Sequence, residues 1–297
     1  MLLLLALATA LVPGAPTSAS ERPLAPANAP PAAPSNQPPI ALPRTWIIDV
    51  AANEIRAINH PNSYLRYRMR TVDRKGDQVR DTIESSDGFV ARLILKDGRP
   101  LTPDEDRAER DRLSDMLASP SEYKKHIEHD QSGKKMAIDL IRLMPDAMLY
   151  TYTPGQPQLA PARSAHQVVI DYTPNPNWSP PDITSQALTG LRGRMWIDAK
   201  SHQMLRMEGT VFQGVNFGYG MLAHIYPGGT VSLDQADAGN GRWIYTRFVE
   251  RVRIRALMLK TINEDATIEA SGFQTLPGPI PYQEAIRRLL GTPLPTV

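Results

Sequence analysis

The sequence of 297 residues contains no cysteine. This excludes disulfide bonds, thiolate metal sites and a lipid anchor on an N-terminal cysteine, so the hydrophobic core must hold the fold. Charges of the two signs nearly balance, with 33 Lys and Arg against 31 Asp and Glu. Because this balance gives no general attraction to polyanions, no nucleic-acid partner is expected.

The motifs of common enzyme classes are also missing. The chain has no His-Glu-x-x-His, no Gly-x-Ser-x-Gly, no Gly-rich phosphate loop and no dinucleotide fingerprint. Ser121 with Lys124, and Ser132 with Lys135, match the spacing of a serine nucleophile and its lysine. Neither pair has the companion Ser-Asp-Asn or Lys-Thr-Gly element. We therefore expect a non-catalytic protein without a cofactor.

The N-terminal region has the composition of an export signal followed by a linker. Residues 2–12 are uniformly apolar, and small residues at 18–20 provide a plausible cleavage site, so residues 1–20 are predicted to be a signal peptide. A buried helix is the alternative. Residues 21–44 are rich in Pro and Ala and predict a disordered linker. The expected location is the periplasm or the extracellular space.

Residues 64–96 predict three antiparallel strands, over 64–73, 77–86 and 89–96. Gly76, Gly88 and Gly98 stand where tight turns require positive φ. In the first strand three arginines alternate with Leu65, Tyr67, Met69 and Thr71, which predicts one cationic and one apolar face.

The rest of the chain predicts helices followed by more strands, and hence an α+β domain over 45–297. Thr45 is expected to cap a first helix, and Thr102 with Glu105 forms a capping-box pattern. Helices are predicted over 45–58, 103–118, 121–130, 134–144 and 282–290. Further strands are predicted over 148–153, 166–173, 194–198, 204–212, 218–225, 230–235, 242–259 and 266–273. Glu250 falls on the apolar face of its strand.

Three groups of side chains are candidates for binding. His126 and His129 could share a metal on one helical face, although a solvated helix end explains them too. The arginine row, continued by 251–255, could bind phosphate or lipid headgroups, or be only a solvated sheet face. The methionines on or near strands could line a flexible apolar cavity or pack in a core; they are Met69, Met195, Met204, Met207 and Met221.

The order of elements and several short motifs resemble the LolA-like half-open β-barrel superfamily of periplasmic lipoprotein and lipid carriers, especially its uncharacterised envelope members. The resemblance covers residues 46–273. The motifs are Asp97-Gly98-Arg99-Pro100-Leu101-Thr102, Met144-Pro145-Asp146-Ala147 and Arg194-Met195-Trp196-Ile197-Asp198.

The resemblance implies a strongly curved antiparallel sheet that forms a half-open barrel, with helices covering its concave side. It also implies a cavity that holds a lipid, an acyl chain or a lipidated protein, and contact with a membrane surface. The expected rim is the Trp178 loop, and the expected lining is Leu65, Tyr67, Met69, Leu205, Met207, Phe248, Val252 and Ile254. The alternative is an envelope module with a filled core that binds another protein.

Overall fold

The computed structural model describes residues 41–59, 63–160, 166–239, 241–257 and 259–295, without the side chains of Glu122 and His129. The predicted signal peptide and nearly all of the predicted linker lie outside these residues. Within the described ranges, no helix is both long and apolar enough to cross a membrane.

Over the described part of the chain, the fold is α+β, with one large antiparallel sheet of thirteen strands that does not close. The strands are β1 (Leu65–Asp73), β2 (Gly76–Ser85), β3 (Gly88–Lys96), β4 (Arg99–Pro100), β5 (Met148–Tyr152), β6 (Gln167–Pro174), β7 (Leu191–Asp198), β8 (Met204–Val211), β9 (Val215–Phe217), β10 (Ala223–Ile225), β11 (Thr230–Asp237), β12 (Trp243–Ala256) and β13 (Lys260–Thr275). The order is β4-β3-β2-β1-β13-β12-β11-β8-β7-β6-β5, and β10 pairs with β9 and β12. The helices are α1 (Pro43–Asn59), α2 (Pro103–Ala118), α3 (Pro120–Ala147) and α4 (Tyr282–Gly291), with a 3₁₀ helix at Thr184–Gly190.

The predicted meander is confirmed. β1, β2 and β3 pair as consecutive antiparallel hairpins. Gly76 and Gly88 begin the second and third strands with φ of +104° and +135°, a region that glycine enters without a steric penalty. The alternation along β1 therefore defines two faces of the sheet. We call them the Phe248 face, which also bears Met69, and the Arg66 face.

Helix α1 packs on the Phe248 face. The registers of β6, β7, β8, β11 and β12 align Ile170, Met195, Met207, Leu233 and Phe248 in one cross-strand row. Trp46, Ile47 and Val50 of α1 are buried in the same cluster. The helix begins at Pro43, so Thr45 lies inside its first turn and the predicted cap at Thr45 is wrong. Proline is well suited to a first helical turn, since the N–H that it lacks would have no intrahelical partner there.

Helix α2 covers the exposed edge of β3. Its predicted capping box is confirmed, with the Thr102 side chain accepting from the Glu105 N–H at 3.2 Å. From α2, the Glu109 carboxylate accepts a hydrogen bond from the Leu93 N–H at 2.7 Å, and the Arg112 guanidinium donates one to the Ala91 carbonyl at 2.7 Å. These contacts satisfy edge groups that would otherwise be open to pairing with another strand.

Helix α3 is a single helix of 28 residues, so the prediction of two helices over 121–130 and 134–144 is wrong. Its N-terminal half packs through Tyr123 and Ile127, and its C-terminal half packs through Leu140. Packing at both ends outweighs the low helix propensity of Gly133 between them. Pro145 lies in the last turn, and the helix ends at Ala147 rather than at the proline.

Helix α4 packs on the Arg66 face. Ile83 is paired with Arg66, and it shares a core cluster with Ile286 and Leu289 of α4. The buried Arg92 side chain donates to the Leu289 and Thr292 carbonyls at 2.6 and 2.7 Å. Helices therefore contact both faces of the sheet.

Two strands differ most from the prediction, while other strand ends differ by up to three residues. Of the strand expected over 218–225, only 223–225 is a strand, β10; residues 218–222 are the loop that joins it to β9, because Gly218 and Gly220 have φ of +56° and +82° and turn the chain. The last strand, β13, begins at Lys260 and is twice as long as expected.

Candidate functional site

A cleft of about 1050 Å³ opens between the sheet and the first half of α3. The C-terminal end of α1, the β2–β3 turn and the start of β12 complete its walls. Among its lining residues are Ile58, Tyr64, Tyr67, Glu84, Phe89, Tyr123, His126, Ile127, Gln131, Lys134, Gln235, Arg242, Tyr245 and Tyr282. The cleft thus brings together parts of the chain that are far apart in sequence.

A buried ion pair forms one wall of the cleft. An Arg242 Nη2 atom lies 3.1 Å from a Glu84 Oε1 atom, and the other Glu84 oxygen accepts from the Leu65 N–H at 2.9 Å. An Arg242 Nη1 atom donates to the Ala57 carbonyl at 2.7 Å. Burial raises the pKa of Glu84, and the charge of Arg242 opposes that rise. The pair joins α1, β1 and β2 to the β11–β12 connection.

A second buried carboxyl lies behind the cleft. Glu54 of α1 accepts from the Tyr245 hydroxyl at 2.6 Å and from the Gln235 amide at 2.7 Å. Its other oxygen has no hydrogen-bond partner among the described residues. Burial raises the pKa of Glu54 to about 7, although both hydrogen bonds act to lower it. The pKa of Glu54 therefore lies well above that of an exposed glutamate.

Aromatic side chains are prominent among the residues that line the cleft. The rings of Tyr123 and Tyr282 are stacked, with centroids 3.6 Å apart and an interplanar angle of 6°. Tyr67 packs against Phe273 at 5.8 Å. Burial raises the pKa of Tyr67, so its hydroxyl remains neutral. Such rings present flat apolar surfaces together with polar hydroxyl groups.

Helix α3 places charges of both signs along the cleft. Lys124, Glu128, Asp130 and Lys134 line it, and Lys124 lies 3.7 Å from Glu128. His126 contacts the Phe89 carbonyl at 3.2 Å through Nε2. The side chain of His129 lies outside the described set, so the predicted histidine pair stays a prediction. Among the side chains that are described, no three His, Asp or Glu form a group that could hold a metal ion.

The structure brings only part of the predicted lining to this cleft. Tyr67 lines it, and Leu65 is buried beside Glu84. Met69 is half-buried on β1. Phe248 lies beneath α1, and Val252 and Ile254 pack with the β9–β10 hairpin.

The remaining predicted residues lie elsewhere. A register shift between β7 and β8 turns Leu205 toward Trp196 and leaves Met207 packed under α1 and α3. The predicted rim residue Trp178 is half-buried against the C-terminal half of α3.

Several arginines of the row have carboxylate partners, and some of the methionines are core residues. On the Arg66 face, Arg66 pairs with Asp81, Arg70 with Asp77, Arg247 with Glu269 and Arg251 with Asp265. Met195 and Met204 are buried in the core, whereas Met221 is exposed.

Sequence reasoning missed Glu54, Glu84 and Arg242. One signal for Glu54 was available, since it continues the apolar stripe of Val50 and Ala51 at helical spacing and so stands at a core position. Glu84 and Arg242 gave no comparable signal, because their pairing depends on contact between β2 and the β11–β12 connection, which are distant in sequence.

Comparison of the chain with protein-family models, with curated proteins and with solved structures finds no match. The cleft and its chemistry are therefore the basis for a functional assignment.

Proposed function

We propose that the protein is a non-catalytic binding protein of the cell envelope that holds an amphipathic ligand, a lipid or an acyl chain, in the cleft. The ligand is free or attached to a lipoprotein. The observation that carries this proposal is the cleft itself, which combines a volume of about 1050 Å³ with walls that contain several tyrosines together with Phe89 and Trp243. Ligand pockets in proteins are typically concave, largely apolar and on the order of 300 to 1,000 Å³.

The apolar walls account for the affinity. Burying about ten methylene groups would contribute roughly 8 kcal/mol at about 0.8 kcal/mol each, before the cost of ordering the ligand. Glu84 and Arg242 neutralise each other, so an acyl chain beside them leaves no buried charge unpaired. The polar headgroup lies toward Lys124, Glu128 and Lys134 of α3.

The proposed architecture is the half-open barrel of LolA-like carriers. A single antiparallel sheet that does not close, and α1 packed on its Phe248 face, support this. The proposed location, the periplasm or the extracellular space, follows from the signal-like composition of residues 1–20.

The second candidate function is a protein-binding envelope module with a filled core. It is favoured by one observation: five of the eight residues expected to line a cavity, Leu205, Met207, Phe248, Val252 and Ile254, belong to packed clusters. A ligand at the cleft and a packed core elsewhere are nevertheless compatible.

The test is native mass spectrometry of the protein purified from the periplasm without detergent, together with titration of a fluorescent fatty acid. Gln131→Trp adds bulk at the cleft from an exposed position on α3. Lys135→Trp adds the same side chain one turn further along, at a position that does not line the cleft.

We expect co-purified lipid and probe uptake in the wild type and in Lys135→Trp, and at least about tenfold weaker uptake in Gln131→Trp. A wild-type protein that carries no lipid and takes up no probe would favour the protein-binding module. Equal uptake by both variants would place the ligand outside the cleft.

A further inference from the structure

An apolar tip lies at the far end of the sheet from the cleft. It consists of the β9–β10 loop, residues 218–222, and of Leu257 and Leu259 between β12 and β13. The two are adjacent because Ala223 pairs with Ala256 and the Leu257 N–H donates to the Leu222 carbonyl at 2.9 Å. Tyr219 and Leu259 are 97% and 91% exposed, and Met221, Leu222 and Leu257 are also exposed.

The backbone holds these side chains away from the core. Gly220 and Leu222 N–H groups both donate to the Phe217 carbonyl, and Leu259 donates to Ala256. Tyr219 and Leu257 have φ of +58° and +48°, a conformation that costs energy in residues other than glycine. The base of the tip is anchored in a buried cluster that includes Phe217 and Ile254. Exposure of the tip is therefore a property of the fold.

The two sequence segments that form the tip carry no negative charge. Residues 215–233 and 251–263 contain no Asp or Glu. The second segment contains four cationic residues, Arg251, Arg253, Arg255 and Lys260, of which Arg251, the one furthest from the tip, is paired with Asp265. Lys260 pairs with Ala256 at the tip itself. At about 3.4 Å per residue along β12, Arg253 lies roughly 10 Å behind Ala256.

The apolar side chains at the tip and the cations behind them match the order of layers in an anionic lipid bilayer, with acyl chains inside and phosphates at the surface. Apolar side chains of peripheral proteins enter the boundary between headgroups and acyl chains by about 5 to 10 Å, and Lys and Arg behind them contact the phosphates. A tyrosine is well suited to the headgroup level, since it is apolar with a polar end.

We propose that this tip inserts into the surface of anionic membranes and docks the protein there. The occupant is a lipid surface, because the patch joins exposed apolar side chains to a cationic segment that is free of carboxylates. β12 separates the tip from the cleft: Tyr245 lines the cleft and Ala256 lies at the tip, about 37 Å away along the strand. Docking is consequently separable from ligand binding in the cleft.

The test is co-sedimentation with vesicles made of equal amounts of phosphatidylcholine and phosphatidylglycerol, and with vesicles of phosphatidylcholine alone. Tyr219→Ser/Leu259→Ser removes the two most exposed apolar side chains of the tip. Leu149→Ser/Ile183→Ser is the matched control, because it removes two exposed apolar side chains elsewhere. Circular dichroism and Tm establish that both variants fold.

We expect the wild-type protein to bind the anionic vesicles with an affinity that falls as salt is added. The tip variant should bind them at least about tenfold more weakly, and the control variant should bind them as the wild type does. Since the chain has no cysteine, Tyr219→Cys with an environment-sensitive dye gives an independent readout, a blue shift upon insertion. Absence of binding, or equal binding by the tip variant, would overturn the proposal. The proposal would also be overturned if the tip did not bind vesicles but were required for self-association or for the capture of a protein.

Discussion

Glu250 provides a sharp test of the physical reasoning. Its carboxyl is on the Phe248 face, only 2% exposed, with Val231 and Ala266 opposite it on the neighbouring strands. One of its oxygens has no hydrogen-bond partner among the described residues. Burial raises the pKa of Glu250 to about 8, and the carboxylate of Glu264 adds to the rise. The folded protein therefore holds a proton there that the unfolded chain releases near pH 4.5.

The sign and size of the effect follow from this difference. Between about pH 4.5 and 8 the unfolded state binds fewer protons at this position, so the free energy of unfolding falls as pH rises. The fall is about 1.4 kcal/mol per pH unit, or on the order of 5 kcal/mol over the whole interval. Below pH 4.5 both states are protonated and the effect is absent.

Glu250→Gln replaces the carboxyl by a neutral group of the same shape. We expect the variant to match the wild type near pH 5 and to be more stable by several kcal/mol near pH 8. Urea unfolding at intervals across this range measures the difference. Glu54, whose pKa is about 7, is present in both the wild type and the Glu250→Gln variant and changes the stability of both equally. The difference between their free energies of unfolding therefore reports on Glu250.

Glu269→Gln is the control, since it removes an exposed carboxylate from the adjacent strand β13. Its stability difference from the wild type should stay nearly constant with pH. If the difference for Glu250→Gln is equally constant, Glu250 is ionised in the folded protein, and the argument from burial fails.

Three further variants test the fold by thermal or urea unfolding. Glu84→Gln should lower the free energy of unfolding by about 3 kcal/mol, since it leaves Arg242 buried without an anion, and adding Arg242→Gln should recover part of the loss. Gly193→Ala should destabilise by roughly 3 kcal/mol or more, because its new Cβ would lie 1.8 Å from the Glu208 carbonyl oxygen; wild-type stability would contradict that close approach. Thr102→Ala should cost about 1 kcal/mol through loss of the helix cap, and a change below about 0.3 kcal/mol would show that the cap is dispensable.

The features that the sequence predicts well are local. Gly76 and Gly88 mark turns because the backbone conformation of a tight turn involves few neighbouring residues. Thr102 and Glu105 mark a helix start for the same reason, since both partners lie within one turn. The alternation of β1 likewise depends only on strand geometry.

The features that escape sequence reasoning depend on distant contacts. Gly133 and Pro145 predict interruptions in α3, but packing at both ends of the helix overrides them. The register shift that turns Leu205 away from Met207 arises between two strands and is invisible within either one. The cleft also depends on distant contacts, because Glu84 and Arg242, which form one of its walls, are 158 residues apart in the sequence.

The continuity of α3 has a mechanical consequence. At 1.5 Å per residue, 28 residues make a rod about 42 Å long. One half lines the cleft, and the other half is fastened through Leu140 to the cluster that contains Leu188 of the 3₁₀ helix. We expect the helix to act as a lever: widening the cleft either bends the rod near Gly133 or loosens its far end. Gly133→Ala should stiffen the rod, so ligand release should slow; since Gly133 itself lines the cleft, equilibrium affinity is measured in parallel. Stopped-flow release of a fluorescent fatty acid would measure this, and an unchanged release rate would mean that the helix does not gate the cleft.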